Sequence, residues 1–273
     1  MPRLLFGILC AGLASAAAAQ DMSVAAAGGC AVVPMLPAPV PVVEVTIGGK
    51  GPFRFVIDTA APGHGRISPR LAADLQLPRM GASPEGTLFG VSEVSVGAVS
   101  FKNLDLVAAQ EGAGEWDGSL GSGLIALLPL TLDYGNARAR FGGRELDEGL
   151  PVSFDNGVPV LPVDVAGQRF RVRFASGLRT GALLLDEAEA RALPISGDPV
   201  PRGLNGAEFS EVALPVAATV SGVPLPVRSV GWPTPQTGGT LGSRGMAGLS
   251  VTFDAASQLG TVERSGLPPR CAG

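Results

Sequence analysis

The sequence predicts an all-β fold built from two homologous lobes, each with one short helix. Three observations lead to this prediction. Glycine and proline are abundant, at 39 and 24 of 273 residues, whereas charged residues make up only 16%. Short valine-rich runs alternate with turn-forming residues, a pattern typical of proteins made of many short strands. Finally, one order of strand, turn, strand and helix occurs twice along the chain.

The first residues predict a secretory signal peptide that is not part of the fold. Arg3 provides a positive charge, residues 4–13 are apolar, and small residues follow up to Ala19. This order is typical of a cleaved signal peptide, so we expect residues 1–19 to be removed. No run reaches the roughly 20 apolar residues that a membrane-spanning helix needs. We therefore expect a periplasmic or secreted protein that does not span the membrane.

Each copy of the repeat begins with an alternating strand that ends in a turn of small residues. In the first copy the strand starting at Phe53 leads to Asp58-Thr59-Ala60. In the second copy the strand starting at Phe170 leads to Ala175-Ser176-Gly177. Both the two phenylalanines and the two triplets are 117 positions apart, which indicates a duplication.

A short helix is predicted after each of these turns. Ser68 followed by Pro69 is typical of a helix N-cap with proline at the first helical position. In the second copy, Asp186 and Glu189 have the spacing of a capping box. A proline follows each helix and should end it.

A second pair of matching segments lies near the end of each copy. Residues 118–121 and 239–242 both read Gly-x-Leu-Gly, and they are 121 positions apart. Two matching pairs in the same order predict a first lobe at residues 31–147 and a second at residues 148–273. The polar, glycine-rich residues 142–156 would join them.

Two cysteines remain once the signal peptide is removed, Cys30 and Cys271. An exported protein meets an oxidising environment, where an even number of cysteines predicts a disulfide. The alternative is two unrelated thiols.

The ordered pattern of the repeat resembles the retropepsin-like and pepsin-like aspartic peptidases, over residues 45–141 and 162–262. This resemblance implies two acid-protease-type β-barrel lobes that form a bilobal pseudo-dimer. It places Asp58, Thr59 and Ala60 at the catalytic triplet and Ala175, Ser176 and Gly177 at a degenerate second half-site. It also implies that the two Gly-x-Leu-Gly segments support these loops from behind, through Gly118, Leu120, Gly121, Gly239, Leu241 and Gly242.

Further expectations come from the same resemblance. A flap that closes over substrate would lie near Leu88-Phe89-Gly90, with its repeat near Leu204-Asn205-Gly206. An extended peptide or protein would be the substrate or ligand in the cleft between the lobes of a monomer. The chain ends would pair in a sheet beneath the lobes, which would bring Cys30 close to Cys271.

The second triplet lacks the residue that the chemistry of this family needs. Peptide hydrolysis there uses two carboxylates that share one proton, so that one acts as base and the other as acid. Ala175 has a methyl group in place of the second carboxylate, and Ala60 replaces a glycine. Asp164 and Asp186 lie too far from the loop to substitute. An unpaired Asp58 would have an ordinary pKa near 3.9.

Three functions remain open from the sequence. The protein is a binding or scaffold protein without peptidase turnover, or two chains bring two Asp58 loops together, or Asp58 activates water with help from another group. No cofactor or metal site is predicted. The net charge of −4, with no block of lysine and arginine, argues against nucleic acid as a partner.

Overall fold

The fold is given by a computed structural model. The structure describes residues 22–26, 29–109, 115–204, 207–233, 239–266 and 269–271. The predicted signal peptide lies outside the described residues, so its removal stays a prediction.

The described residues form short strands joined by tight turns. The first half of the chain contains β1 (Ser23–Ala26), β2 (Cys30–Pro34), β3 (Val42–Ile47), β4 (Lys50–Ile57), β5 (Gly65–Ile67), β6 (Arg79–Ser83), β7 (Gly86–Val96), β8 (Val99–Ala108), β9 (Gly118–Leu120), β10 (Leu130–Asp133) and β11 (Arg138–Gly142). The second half contains β12 (Leu150–Pro151), β13 (Ser153–Asp155), β14 (Val158–Val165), β15 (Gln168–Ala175), β16 (Leu183–Leu184), β17 (Ser196–Leu204), β18 (Ala207–Ala213), β19 (Ala218–Val220), β20 (Val223–Pro224), β21 (Ser229–Pro233), β22 (Gly239–Gly242), β23 (Leu249–Asp254) and β24 (Leu259–Arg264).

The first lobe is a closed barrel. Its strands pair in the order β8-β5-β9-β4-β3-β7, and β7 pairs again with β8, which closes the ring. Strands β1 and β6 extend the sheet at its two ends. Large apolar side chains such as Phe55, Phe101 and Leu106 point inward and are fully buried. Because the ring leaves no free edge inside the lobe, its backbone hydrogen bonds are satisfied by neighbouring strands.

The second lobe repeats this strand order but interrupts two of its strands. β21-β16-β22-β15-β14 corresponds to β8-β5-β9-β4-β3. The counterpart of β7 is split into β18 and β19, and the counterpart of β8 into β20 and β21. Each break contains a proline, Pro215 or Pro226. Proline has no backbone N–H to give to a neighbouring strand, which accounts for both interruptions.

A six-stranded sheet joins the lobes. Its order is β12-β24-β23-β10-β11-β2, with β10 of the first lobe antiparallel to β23 of the second at its centre. The hydroxyl oxygens of Thr131 and Thr252 lie 2.9 Å apart across this central pair. Tyr134, which follows β10, packs against the apolar cores of both lobes. The prediction of an all-β, two-lobed fold is therefore confirmed, while the boundary at residues 147 and 148 stays a prediction.

The predicted helices have the predicted caps. Helix α1 (Pro69–Asp74) begins after Ser68, whose hydroxyl accepts a hydrogen bond from the Leu71 N–H. Helix α3 (Glu187–Arg191) begins with a complete capping box. Each lobe also contains a second short helical segment, α2 (Ser122–Ile125) and a 3₁₀ turn (Ser243–Met246). Four residues are too few to produce a helical periodicity, so the sequence pattern did not predict these segments.

Cys30 and Cys271 form a disulfide, as predicted, with their Cα atoms 5.7 Å apart. Cys30 begins β2 at one end of the six-stranded sheet, so the bond fixes the C-terminal segment to that edge. In the described residues no helix is both long and apolar enough to cross a membrane.

We predict that replacing both cysteines by serine lowers the free energy of unfolding by about 2–5 kcal/mol, because the bond restricts a very long loop in the unfolded chain. Urea unfolding of the variant and of the wild type should show this difference. Adding a reductant should shift the wild type towards the variant and leave the variant unchanged. Equal midpoints under non-reducing conditions would contradict the prediction.

Candidate functional site

The two triplets follow equivalent strands in the two lobes. Asp58 comes directly after β4, which runs parallel to β9, and its N–H donates to the Leu120 carbonyl at 3.0 Å. Ala175 ends β15, which runs parallel to β22 and pairs there with Gly242. Each triplet therefore lies beside the Gly-x-Leu-Gly segment of its own lobe.

The middle residues of the triplets bind each other across the lobe junction. The Thr59 N–H donates to the Ser176 hydroxyl at 3.0 Å, and the Ser176 N–H donates to the Thr59 hydroxyl at 3.0 Å. The Ser176 hydroxyl donates to the Ile57 carbonyl at 2.6 Å, and the Thr59 hydroxyl donates to the Phe174 carbonyl. Both side chains are fully buried. The crossed bonds relate the two loops by an approximate twofold axis.

The Asp58 carboxylate lies against the loop of the other lobe. Its Oδ1 accepts the Ala60 N–H at 3.0 Å, and the N–H groups of Gly177 and Ala61 also bind it. Burial raises the pKa of Asp58 above its ordinary value of 3.8, although these backbone donors and the positive charge of Arg66 act in the opposite direction. The expectation of an ordinary pKa for Asp58 is therefore wrong, because the sequence does not show how much water the junction removes.

The third residue of the second triplet, Gly177, faces the first residue of the first triplet, Asp58. A methyl group added at Gly177 would lie within 2.7 Å of all three carboxyl atoms of Asp58, so only glycine fits there. By the approximate twofold relation, we expect Ala60 to face position 175. The Ala175 side chain is short, so it should leave room for the Ala60 methyl group where a carboxylate would not. We therefore expect positions 60 and 175 to be sterically coupled, as positions 58 and 177 are.

The Gly-x-Leu-Gly segments lie close behind both loops. A methyl group at Gly121 would come within 3.0 Å of the Gly63 and Ala61 carbonyl oxygens, and one at Gly242 would come within 2.5 Å of the Leu178 carbonyl oxygen. A methyl group at Gly118 would come within 2.3 Å of the Arg66 carbonyl oxygen, and one at Gly239 would come within 2.8 Å of the Val172 side chain. Leu120 and Leu241 are buried in the two cores. A role in supporting catalysis stays a prediction for all six residues.

Other acidic residues named from the sequence are engaged elsewhere. Asp164 binds the guanidinium of Arg169 at 2.8 Å, and Asp186 caps α3. Two groups that act on the site were missed. Arg66 lowers the pKa of Asp58, and the charge of Asp58 adds to burial in raising the pKa of Tyr134. No sequence signal identifies them, because only the fold brings them near the triplet.

The predicted flap residues lie in a hairpin, but not at its tip. Leu88, Phe89 and Gly90 belong to β7, and the turn of the β6–β7 hairpin lies at residues 84–85. Glu85 in this turn contacts Arg66 at 3.1 Å. In the second lobe Leu204 ends β17, while Asn205 and Gly206 lie outside the described residues. A flap function stays a prediction.

Comparison with known proteins shows the fold and no more. No family model and no curated relative matches the chain. Among solved structures, the chain is similar to the basic 7S globulin from soybean. The two are 12% identical, with a TM-score of 0.50, over 87% of this chain and 95% of that one. At this identity the likeness establishes a shared two-lobed β fold and carries no information on activity.

We predict that Thr59→Val lowers the free energy of unfolding by about 2–4 kcal/mol, because it leaves the buried Ser176 N–H and Phe174 carbonyl without partners. Thr87→Val is the matched control, since the Thr87 hydroxyl contacts only an exposed arginine. Chemical denaturation of both variants measures the difference. Similar losses in the two variants would argue against a special role for the crossed bonds.

We predict that Gly177→Ala destabilises the wild type by about 1–3 kcal/mol through overpacking against Asp58. In an Asp58→Ala background the same change should cost much less, because that pair copies the arrangement of Ala60 and Ala175. A double-mutant cycle of unfolding free energies tests the steric coupling. Additive effects would show that the two positions do not contact each other.

Asp58→Asn should change the pH dependence of stability. Because the folded-state pKa of Asp58 is raised, this residue destabilises the fold increasingly as the pH rises from below 3.8 through the raised pKa. The stability of the variant relative to wild type should rise over that range and then level off. For Asp164→Asn the relative stability should instead fall as the pH rises from the lowered pKa of Asp164 to 3.8, because the side-chain hydrogen bond from Arg169 lowers that pKa. Thermal melts across both pH ranges, one above and one below 3.8, measure the two effects.

Proposed function

We propose that this chain is an exported, monomeric protein of the aspartic-peptidase type that binds an extended peptide or protein segment between its lobes without cleaving it efficiently. The observation that carries this proposal is the contact of Asp58 with Gly177 of the second triplet, which begins with Ala175 in place of a carboxylate residue. A catalytic dyad, meaning two carboxylates that share one proton, would require a second carboxylate beside Asp58.

A single carboxylate supplies only one of the two proton transfers that peptide hydrolysis needs. Asp58 can accept a proton from water when it is ionised, but a second group must then donate a proton to the leaving amine. The charged group that acts on Asp58 is Arg66, which is a poor proton donor because guanidinium stays charged at all working pH values. This favours binding over turnover.

The crossed hydrogen bonds argue against a dyad formed by two chains. Such an assembly would have to separate Thr59 from Ser176, so that a second Asp58 loop could replace the loop at 175–177. Both side chains are fully buried, and four hydrogen bonds connect their loops. Leaving these groups unpaired would cost roughly 1–3 kcal/mol for each of them.

The Asp58 carboxylate can still bind a ligand. Asp58 is only partly buried, whereas the hydroxyl groups beside it are fully buried. Its carboxylate is therefore the polar group of the triplets that a ligand can reach. A peptide N–H is a suitable partner for it, and extended peptides commonly bind through their main-chain groups.

The proposed export rests on two features. The predicted signal peptide precedes the fold, and the disulfide between Cys30 and Cys271 is of a kind that forms and persists in oxidising compartments. A periplasmic or secreted location follows from them as part of the proposal.

We predict that the mature wild type shows no efficient cleavage of a peptide library between about pH 3 and 7, whereas Ala60→Gly combined with Ala175→Asp gains cleavage at acidic pH. The expected gain is about 100-fold over wild type, the lower end of what a positioned acid and base contribute. Ala175→Asp alone should gain far less, because Ala60 blocks the new carboxylate. Mass spectrometry of the digests measures the cleavage.

Controls separate the alternatives. Ala60→Gly alone should stay at the wild-type level, and Asp58→Asn should remove the gained activity from the double variant. Wild-type cleavage that Asp58→Asn abolishes would overturn the proposal of a binding protein. Wild-type activity that rises with protein concentration would instead support a dyad made by two chains. Peptide binding without cleavage, measured by calorimetry, supports the proposal.

A further inference from the structure

A pocket of about 260 Å³ lies in the second lobe, away from the triplets. It forms at the breaks between β18 and β19 and between β20 and β21. The matching strands of the first lobe, β7 and β8, are unbroken. Its lining includes Pro224 and Pro226, which we call the proline wall, together with Leu249 at the start of β23. Prolines have a fixed backbone angle, so this wall is held in shape before any ligand arrives.

Two arginines line this pocket, Arg228 beside the strand break and Arg264 at the end of β24. Neither of them forms an ion pair in the part of the chain that the structure describes. No acidic residue is among the described residues that line the pocket. Glu263 precedes Arg264 in the strand, and alternate strand residues point to opposite faces. The pocket is therefore positively charged in a protein whose net charge is −4.

The rest of the lining is apolar. Ala217, Leu225 and Leu249 accompany the two prolines. The volume lies below the roughly 300–1,000 Å³ of pockets that hold drug-sized ligands, so a small molecule or the end of a longer one fits. Guanidinium groups bind the two oxygens of a carboxylate in a matching geometry. The combination suits a carboxylate attached to a short, branched apolar group.

We infer that this pocket, lined by Arg228, Arg264 and the proline wall, binds a short apolar carboxylate. The ligand is a small branched organic acid or the C-terminal residue of a peptide that ends in an apolar side chain. This site is independent of Asp58, since none of its residues belongs to a triplet or to a Gly-x-Leu-Gly segment. In the first lobe the matching strands, β7 and β8, are unbroken.

The inference is tested on the mature wild-type protein with isovalerate as the probe. We expect a dissociation constant of roughly 1 mM or tighter by calorimetry at low salt. Isovaleramide and inorganic phosphate should bind at least about tenfold more weakly, because the first lacks the charge and the second lacks the apolar group. Equal binding of phosphate or of the amide would overturn the inference.

A pair of variants assigns the binding to this pocket. Arg228→Gln combined with Arg264→Gln should weaken isovalerate binding by about tenfold or more. The matched control is Arg70→Gln combined with Arg144→Gln, which removes the same charge from exposed side chains elsewhere and should leave binding unchanged. Unchanged binding in the pocket variant, or an equal loss in the control, would overturn the assignment. Circular dichroism confirms that both variants are folded.

A dipeptide ending in leucine distinguishes the two sources of the carboxylate. If the free-acid dipeptide binds more tightly than isovalerate and its C-terminal amide does not bind, the site recognises peptide ends. If isovalerate binds more tightly, the site recognises small acids. Failure of both acids to bind the wild type would overturn the inference and would leave the proposal for Asp58 untouched.

Discussion

The crossed hydrogen bonds between Thr59 and Ser176 are the interaction on which the rest of the structure depends. They bury both hydroxyl groups and connect each triplet to the strand of the opposite lobe. Because each bond has a symmetric counterpart, the two loops are fixed in one mutual position. That position decides what faces Asp58 and how much water reaches it, and so it determines the raised pKa of the carboxyl group.

The same symmetry couples residues that are far apart in the sequence. Gly177 has no side chain because Asp58 occupies the space in front of it. Ala60 has a methyl group at the equivalent position of its loop, and the twofold relation predicts that the short side chain of Ala175 lies opposite it. The residues at positions 60 and 175 are therefore expected to be coupled sterically, as Asp58 and Gly177 are.

The second lobe also differs from the first at a distance from the junction. Two of its long strands are broken where prolines cannot supply a backbone donor. These breaks make the opening that Arg228 and Arg264 line. The first lobe thus contains Asp58, whereas the second has the corresponding strand order with two of its strands interrupted. The joining sheet is symmetric about its central pair, where Thr131 lies beside Thr252.

The sequence by itself determined the β fold, the duplication, the caps of α1 and α3, and the pairing of Cys30 with Cys271. These features depend on local patterns or on a repeat, which can be compared within one chain. Only the tertiary structure decided the environment of Asp58, including the charge of Arg66, the contact with Gly177 and the exclusion of water. Likewise the breaks in the second lobe become a pocket only when β23 and β24 lie opposite them. Asp58 and Gly177 meet across 119 positions of the sequence, and the path of the folded chain also brings Arg66 to Asp58 and the pocket residues to one another, so no local pattern contains these contacts.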